Sequence, residues 1–118
     1  MTEEWLFARL NPDDVFARLH HYSLTVPHDE CEIEFMITVH EYGPSQDQSR
    51  RFVARSDKQT NQETLPYTPT GWGATLLDAL SRCVREIHRF PYEGDELRPK
   101  GAMDVGEGEF PEAGPPVA

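Results

Sequence analysis

From Cys31 to His40 apolar and polar side chains alternate without a break: Cys31, Ile33, Phe35, Ile37 and Val39 on one side, Glu32, Glu34, Met36, Thr38 and His40 on the other. A period of two puts successive side chains on opposite faces of a sheet, so this run predicts a strand with one face in the core. The same period appears upstream in Tyr22, Leu24 and Val26, and downstream in Phe52 and Ala54 set against Arg51, Val53 and Arg55. Three strands follow, joined at the turn-rich stretches 27–30 and 43–49. At Leu76 the period lengthens: Leu76, Leu77, Leu80, Cys83, Val84 and Ile87 recur at three-and-four spacing, with Asp78, Arg82, Arg85, Glu86 and Arg89 opposite. This is an amphipathic helix over 75–89, started by a capping box of Thr75 and Asp78 and stopped before Pro91.

Two other stretches complete the expected architecture. Asn11-Pro12-Asp13-Asp14 reads as a helix start, with a capping side chain, a proline in the first turn and acids at the positive end of the dipole, so a short helix is expected over 11–19. Residues 57–74 carry little pattern, and a loop of that length is functional, disordered or hides a short element; Leu65 to Pro69 suits an extended edge segment. The fold class is therefore α+β, a two-layer sandwich in the order α-β-β-β-α with a three-stranded antiparallel sheet. Residues 1–92 make one globular domain, and residues 93–118, rich in Gly, Pro and acid, read as a disordered tail.

Composition sharpens this picture in two places. The chain of 118 residues has a formal charge of −10, which repels phosphate at long range and disfavours nucleic acid as a partner. Between residues 50 and 92, however, seven basic side chains (Arg50, Arg51, Arg55, Lys58, Arg82, Arg85, Arg89) face four acidic ones, a band suited to an anionic partner. No apolar run approaches the roughly 20 residues that span a bilayer, and the acidic start lacks a signal-peptide pattern, so the expected compartment is the cytoplasm. Cys31 and Cys83 read as two reduced, packed thiols.

Catalytic chemistry finds little support in these residues. His20, His21, His28 and Cys31 are close in sequence but lack the paired spacing of a structural metal site, and neither thiol sits beside a recognisable base, so no metal, cofactor or catalytic residue is assigned. Gly71-Trp72-Gly73 lacks the Lys-Ser or Lys-Thr ending of a phosphate loop, and its glycines are expected to let the chain turn sharply into the helix. Glu32 and Glu34 are expected to pair across strands with Arg51 and Arg55. The helix-strand-strand-strand-helix order resembles the double-stranded-RNA-binding domain, which would imply RNA binding, although the lysines which that family places at the start of its second helix are absent from residues 73–78. Gly73-Ala74-Thr75-Leu76-Leu77-Asp78-Ala79-Leu80 is similar to the helix opening of HicB-type antitoxins, which would imply a regulatory role.

The expected function is a protein-interaction module without catalytic activity, binding another protein or itself. Its surface is placed at Met36, His40, Arg51, Val53 and Arg55 on the wet sheet face, or at Tyr67 and Trp72 in the long loop, because exposed aromatics and apolar residues on a polar face mark contacts. The alternatives are an anion or nucleic-acid binder using the seven-residue basic band, a HicB-like regulator, and a small enzyme with its site in loop 57–74 and a pocket at His40, Tyr67 and His88.

Overall fold

The computed structural model describes residues 4–43 and 48–100. Its sheet carries β1 (Ala17–His28), β2 (Cys31–Tyr42), β3 (Phe52–Ser56) and β4 (Thr70–Gly73) in that spatial order, and one helix, α1 (Leu76–Ile87), follows β4. A two-residue strand, β5 (Arg98–Pro99), pairs antiparallel with β2 at Cys31 and Glu32. The order is thus β-β-β-β-α with β5 appended, which corrects the α-β-β-β-α sandwich of three strands.

The correction at the amino terminus has a local cause. Asn11 and Asp14 close a single turn on each other, the Asp14 N–H donating to the Asn11 carbonyl and the Asn11 N–H to the Asp14 carboxylate, both at 3.0 Å. The helix-start residues therefore spend their hydrogen bonds on one turn. Too few residues separate that turn from the alternating run to repay helix nucleation. From Ala17 the chain is strand, held to β2 by His20 on Glu41 at 2.9 Å and His21 on Thr38 at 3.2 Å. The helical turn in this region lies earlier, a 3-10 turn at Glu4–Ala8. Strand β1 also runs through Pro27, which an edge strand tolerates, so only Asp29 and Glu30 form the turn, with Asp29 at a φ of 55°.

Loop 57–74 does hide a short element. Thr60 and Tyr67 form an isolated antiparallel bridge, and the chain then enters β4, which pairs with β3 in the register Phe52↔Gly73, Val53↔Trp72, Ala54↔Gly71 and Arg55↔Thr70. Four strands rather than three result.

The described residues divide into two compact units, 4–24 with 35–94 and 25–34 with 95–100. In the second, Arg98 bridges Glu32 at 3.2 Å and Glu34 at 3.3 Å, so the partner of those two acids is Arg98 rather than Arg51 or Arg55. Arg98 and Pro99 belong to a sheet and not to a disordered tail; the rest of that expectation, residues 101–118, lies outside the described residues.

The first unit is built around α1 lying on β4 and β3. Phe35, Ile37, Val39, Phe52 and Ala54 supply its buried sheet face, and Ala79, Cys83 and Ile87 the buried helix stripe, while Tyr92 closes edge-to-face on Phe35. Small residues occupy the centre of the contact. On β4 Gly71 faces Ala79 and Cys83 and Gly73 faces Asp78 and Ala79, and a Cβ on Gly71 would come within 2.5 Å of the Ala79 carbonyl oxygen and the Cys83 nitrogen. These glycines are therefore not the sharp turn into the helix but strand residues on which its backbone rests. Close approach turns the stripe: Leu80 and Val84 are half-buried and Leu77 is 72% exposed. The helix start is as expected, with the Asp78 N–H donating to the Thr75 hydroxyl at 3.1 Å.

Gly71→Ala should destabilise the protein by about 1–3 kcal/mol, because the added methyl meets backbone atoms that cannot rotate away. Leu77→Ala on the same helix should cost no more than about 0.5 kcal/mol. Urea unfolding of the two variants beside the parent checks both.

Candidate functional site

Strand β4 ends the sheet, so one of its backbone edges has no strand beside it among the described residues. The register decides which groups point there. The Ser56 N–H donates to the Pro69 carbonyl at 3.1 Å, and hydrogen-bonded pairs recur every second residue along an antiparallel ladder, so Ala54–Gly71 and Phe52–Gly73 are the bonded pairs. Arg55–Thr70 and Val53–Trp72 alternate with them. The N–H and C=O of Thr70 and Trp72 consequently point away from β3, into the open edge.

A groove of about 520 Å³ runs along this edge. Tyr67, Thr68, Thr70, Gly71 and Trp72 line its strand side, and Arg82, Arg85, Glu86 and Arg89 its helix side. Only Ala74 and Thr75 separate β4 from α1, so the helix doubles back along the strand and meets it in reverse order. Arg82 comes to lie 5.9 Å from the Trp72 ring and Arg89 6.0 Å from the Tyr67 ring. Arg50 approaches the same indole more closely, at 4.6 Å, within the range where a guanidinium is attracted to an aromatic face.

Electrostatics in the groove centre on Glu86. The Tyr67 hydroxyl donates to Glu86 Oε1, and Arg89 reaches the same oxygen at 3.3 Å. The phenol's donation, reinforced by Arg89, holds the Glu86 carboxyl below its ordinary range despite some loss of water. Partial burial and then the neighbouring carboxylate push the Tyr67 phenol up, and Glu86 likewise raises Arg89. With one acid thus engaged against three arginines, the lining carries a formal surplus of positive charge. Behind it the buried Cys83 thiol is pushed up to about 11 by burial and shares a weak contact with the Pro69 carbonyl at 3.7 Å.

No family model, no curated protein and no solved structure matches this chain. The groove must therefore be read from its own residues.

Of the surface residues expected from sequence, His40, Val53 and Trp72 form one row across β2, β3 and β4 on the face away from α1, with Arg55 in the row beside it. Met36 shares that face and is 43% exposed, and Trp72 is 38% exposed where the face meets the groove. Tyr67 lies in the groove with Trp72 and not on the sheet face. Arg51 is taken up elsewhere, donating to the Tyr42 carbonyl at 3.1 Å and bridging Glu41 at 3.5 Å. The basic band also divides. Arg82, Arg85 and Arg89 converge on the groove with Arg50 across Trp72, whereas Arg55 stands on the sheet face and Lys58 bridges Asp57 at 3.1 Å. His40, Tyr67 and His88 do not form a common pocket: His40 stacks on Tyr42 and His88 caps α1.

Sequence reasoning missed Thr70, Gly71 and Glu86. A signal was present for the first two, because Thr70-Gly71-Trp72-Gly73 alternates small and large residues with the period of a strand. Glu86 offered none, since its partner Tyr67 lies nineteen positions away.

The phenol of Tyr67 should titrate above the ordinary 10.0, and Glu86→Gln should bring it part of the way back, burial supplying the remainder; phenolate absorbance of each protein against its Tyr67→Phe counterpart measures this. Since the folded phenol is raised, its contribution to stability is complete below 10.0 and lost as pH climbs through the folded value. Glu86 behaves oppositely: its folded value is depressed, so its contribution is present above 4.5 and disappears as pH falls through the folded value.

Proposed function

We propose that this chain is a non-catalytic protein-interaction module that captures an extended, acidic segment of a partner protein by strand addition to β4. The observation that carries this reading is the open edge itself: Thr70 and Trp72 aim their backbone donors and acceptors into a groove already walled by side chains. Backbone hydrogen bonds supply the general affinity in this mode of binding, and flanking pockets supply the choice of partner. Trp72 suits the role of anchor, since a half-exposed indole offers a large contact area at small entropic cost. Three arginines along one wall favour a negatively charged occupant.

Cytoplasmic residence fits the same reading, because two free cysteines suit a reducing compartment. Among the described residues no helix is long and apolar enough to cross a membrane. Single-stranded nucleic acid is the runner-up, favoured by the stacked His40 and Tyr42 rings on the same sheet face as Trp72. The charge of −10 weighs against it.

Adding a short extended peptide of glutamate and threonine to isotope-labelled protein should move the backbone amide resonances of Thr70 and Trp72. Thr70→Pro removes one outward N–H without touching the ladder to β3 and should weaken binding up to about tenfold, the loss of one hydrogen bond. Unmoved Thr70 and Trp72 amides at about millimolar peptide, a Kd worth only ~4 kcal/mol, would rule out strand addition.

A further inference from the structure

Arginines stand all along the groove, but its net charge is uneven from end to end. At the Tyr67 end the charges are already balanced. Arg89 reaches the Glu86 carboxylate at 3.3 Å, the Tyr67 hydroxyl donates to the same oxygen, and the Arg89 guanidinium also lies 5.2 Å from the centre of the Phe90 ring. Tyr67 and Phe90 meet edge to face with their centroids 5.3 Å apart. A segment laid against this end meets aromatic rings and an ion pair whose charges cancel.

The Trp72 end differs. Arg82 lies 5.9 Å and Arg50 4.6 Å from the indole centroid. Arg82 and Arg85 are exposed and have no ion-pair partner among the described residues. Trp72 sits between two glycines that face α1, so its own side chain stands on the other face of β4, whereas Arg82 rises from α1 itself. A guanidinium that reaches the indole from there spans the sheet edge. A strand added beside β4 therefore meets positive charge near Trp72 whichever face a side chain takes. Position along the groove, rather than the side of the strand, decides what that side chain meets. From Arg82 to Arg89 the helix advances about 10 Å at 1.5 Å per residue, or about three residues of an extended strand at ~3.3 Å each. Exposed charges that far apart are largely screened from each other at physiological salt, where the Debye length is about 8 Å.

We infer that the acidic residues of the segment bound at β4 lie over Trp72, where Arg82 selects for them, and that uncharged residues lie against Tyr67 and Phe90. This rests on strand addition at β4 and deepens it by stating where the partner's charge falls. Arg89 lines the same groove but takes no part in the choice, because its charge is matched by Glu86.

Two synthetic peptides of equal length test the placement, one with consecutive glutamates at one end and threonine and valine in the rest, the other with glutamine for each glutamate. Both are titrated into the full chain by calorimetry while the amide resonances of Thr70 and Trp72 are followed. The acidic peptide should bind about tenfold more tightly, the sum of a few partly exposed ion pairs. Arg82→Gln should reduce that preference to about threefold at an unchanged melting temperature, whereas Glu86→Gln and Arg89→Gln together, which keep the Tyr67 end neutral, should leave it within about twofold of the parent. A nitroxide attached beside the glutamates should broaden the Trp72 indole N–H before the Phe90 ring, a readout that needs no variant. An undiminished preference in Arg82→Gln, a preference lost in the double variant, or a label that broadens Phe90 first overturns the placement and leaves strand addition standing, as does equal binding of the two peptides with the Thr70 and Trp72 amides moving. Binding that leaves those amides unmoved, or no binding by either peptide, overturns strand addition and the placement with it. So does a single-stranded oligothymidylate that binds more tightly than the acidic peptide and shifts the His40 and Tyr42 rings instead.

Discussion

The close seating of α1 on β4 governs the rest of this structure. Gly71 against Ala79 and Cys83, and Gly73 against Asp78 and Ala79, let the helix backbone approach the strand closely. A contact between small residues buries little area for each residue, but it removes the spacing that larger side chains would impose. The bulk of apolar burial is left to Phe35, Ile37, Val39, Phe52 and Ile87 around it. Position, more than area, is what the glycines contribute.

That position creates the groove. A helix held farther off would carry Arg82 and Arg85 away from the sheet edge, and Arg82 would not reach the Trp72 ring. Because the link between β4 and α1 is so short, helix and strand run back along each other, and the cations are distributed along the edge rather than gathered at one end. Tyr67, Glu86 and Arg89 then close the far end of the groove with one shared carboxylate oxygen. Such a network orders three side chains at once, and it does so where the chain enters β4. The outward backbone groups of Thr70 and Trp72 are consequently presented from a braced strand.

Much of this was legible beforehand, and the exceptions share a cause. The period-two run of β2 and the capped period of α1 were read correctly because each is long and each buries one face. The stretch 11–19 was misread because Asn11, Pro12 and the two aspartates satisfy a single turn as well as a helix start, and only pairing with β2 chooses between them. Strand β4 escaped because four residues, two of them glycine, carry too little hydrophobic signal. Of the site, Trp72, Tyr67 and the arginines were singled out from their chemistry, but their grouping was not, since Arg51, Arg55 and Lys58 look the same in sequence as Arg82, Arg85 and Arg89.

Periodicity and capping are properties of neighbours along the chain, and so the sequence by itself determined that β2 is a half-buried strand and that Thr75 begins an amphipathic helix. Which strand the helix would press against, which edge would be left without a partner, and which three of seven basic side chains would share a groove depend on residues brought together from distant positions. Only the tertiary structure decided those, because the decisive fit is steric: α1 settles where the absence of two side chains lets it come closest.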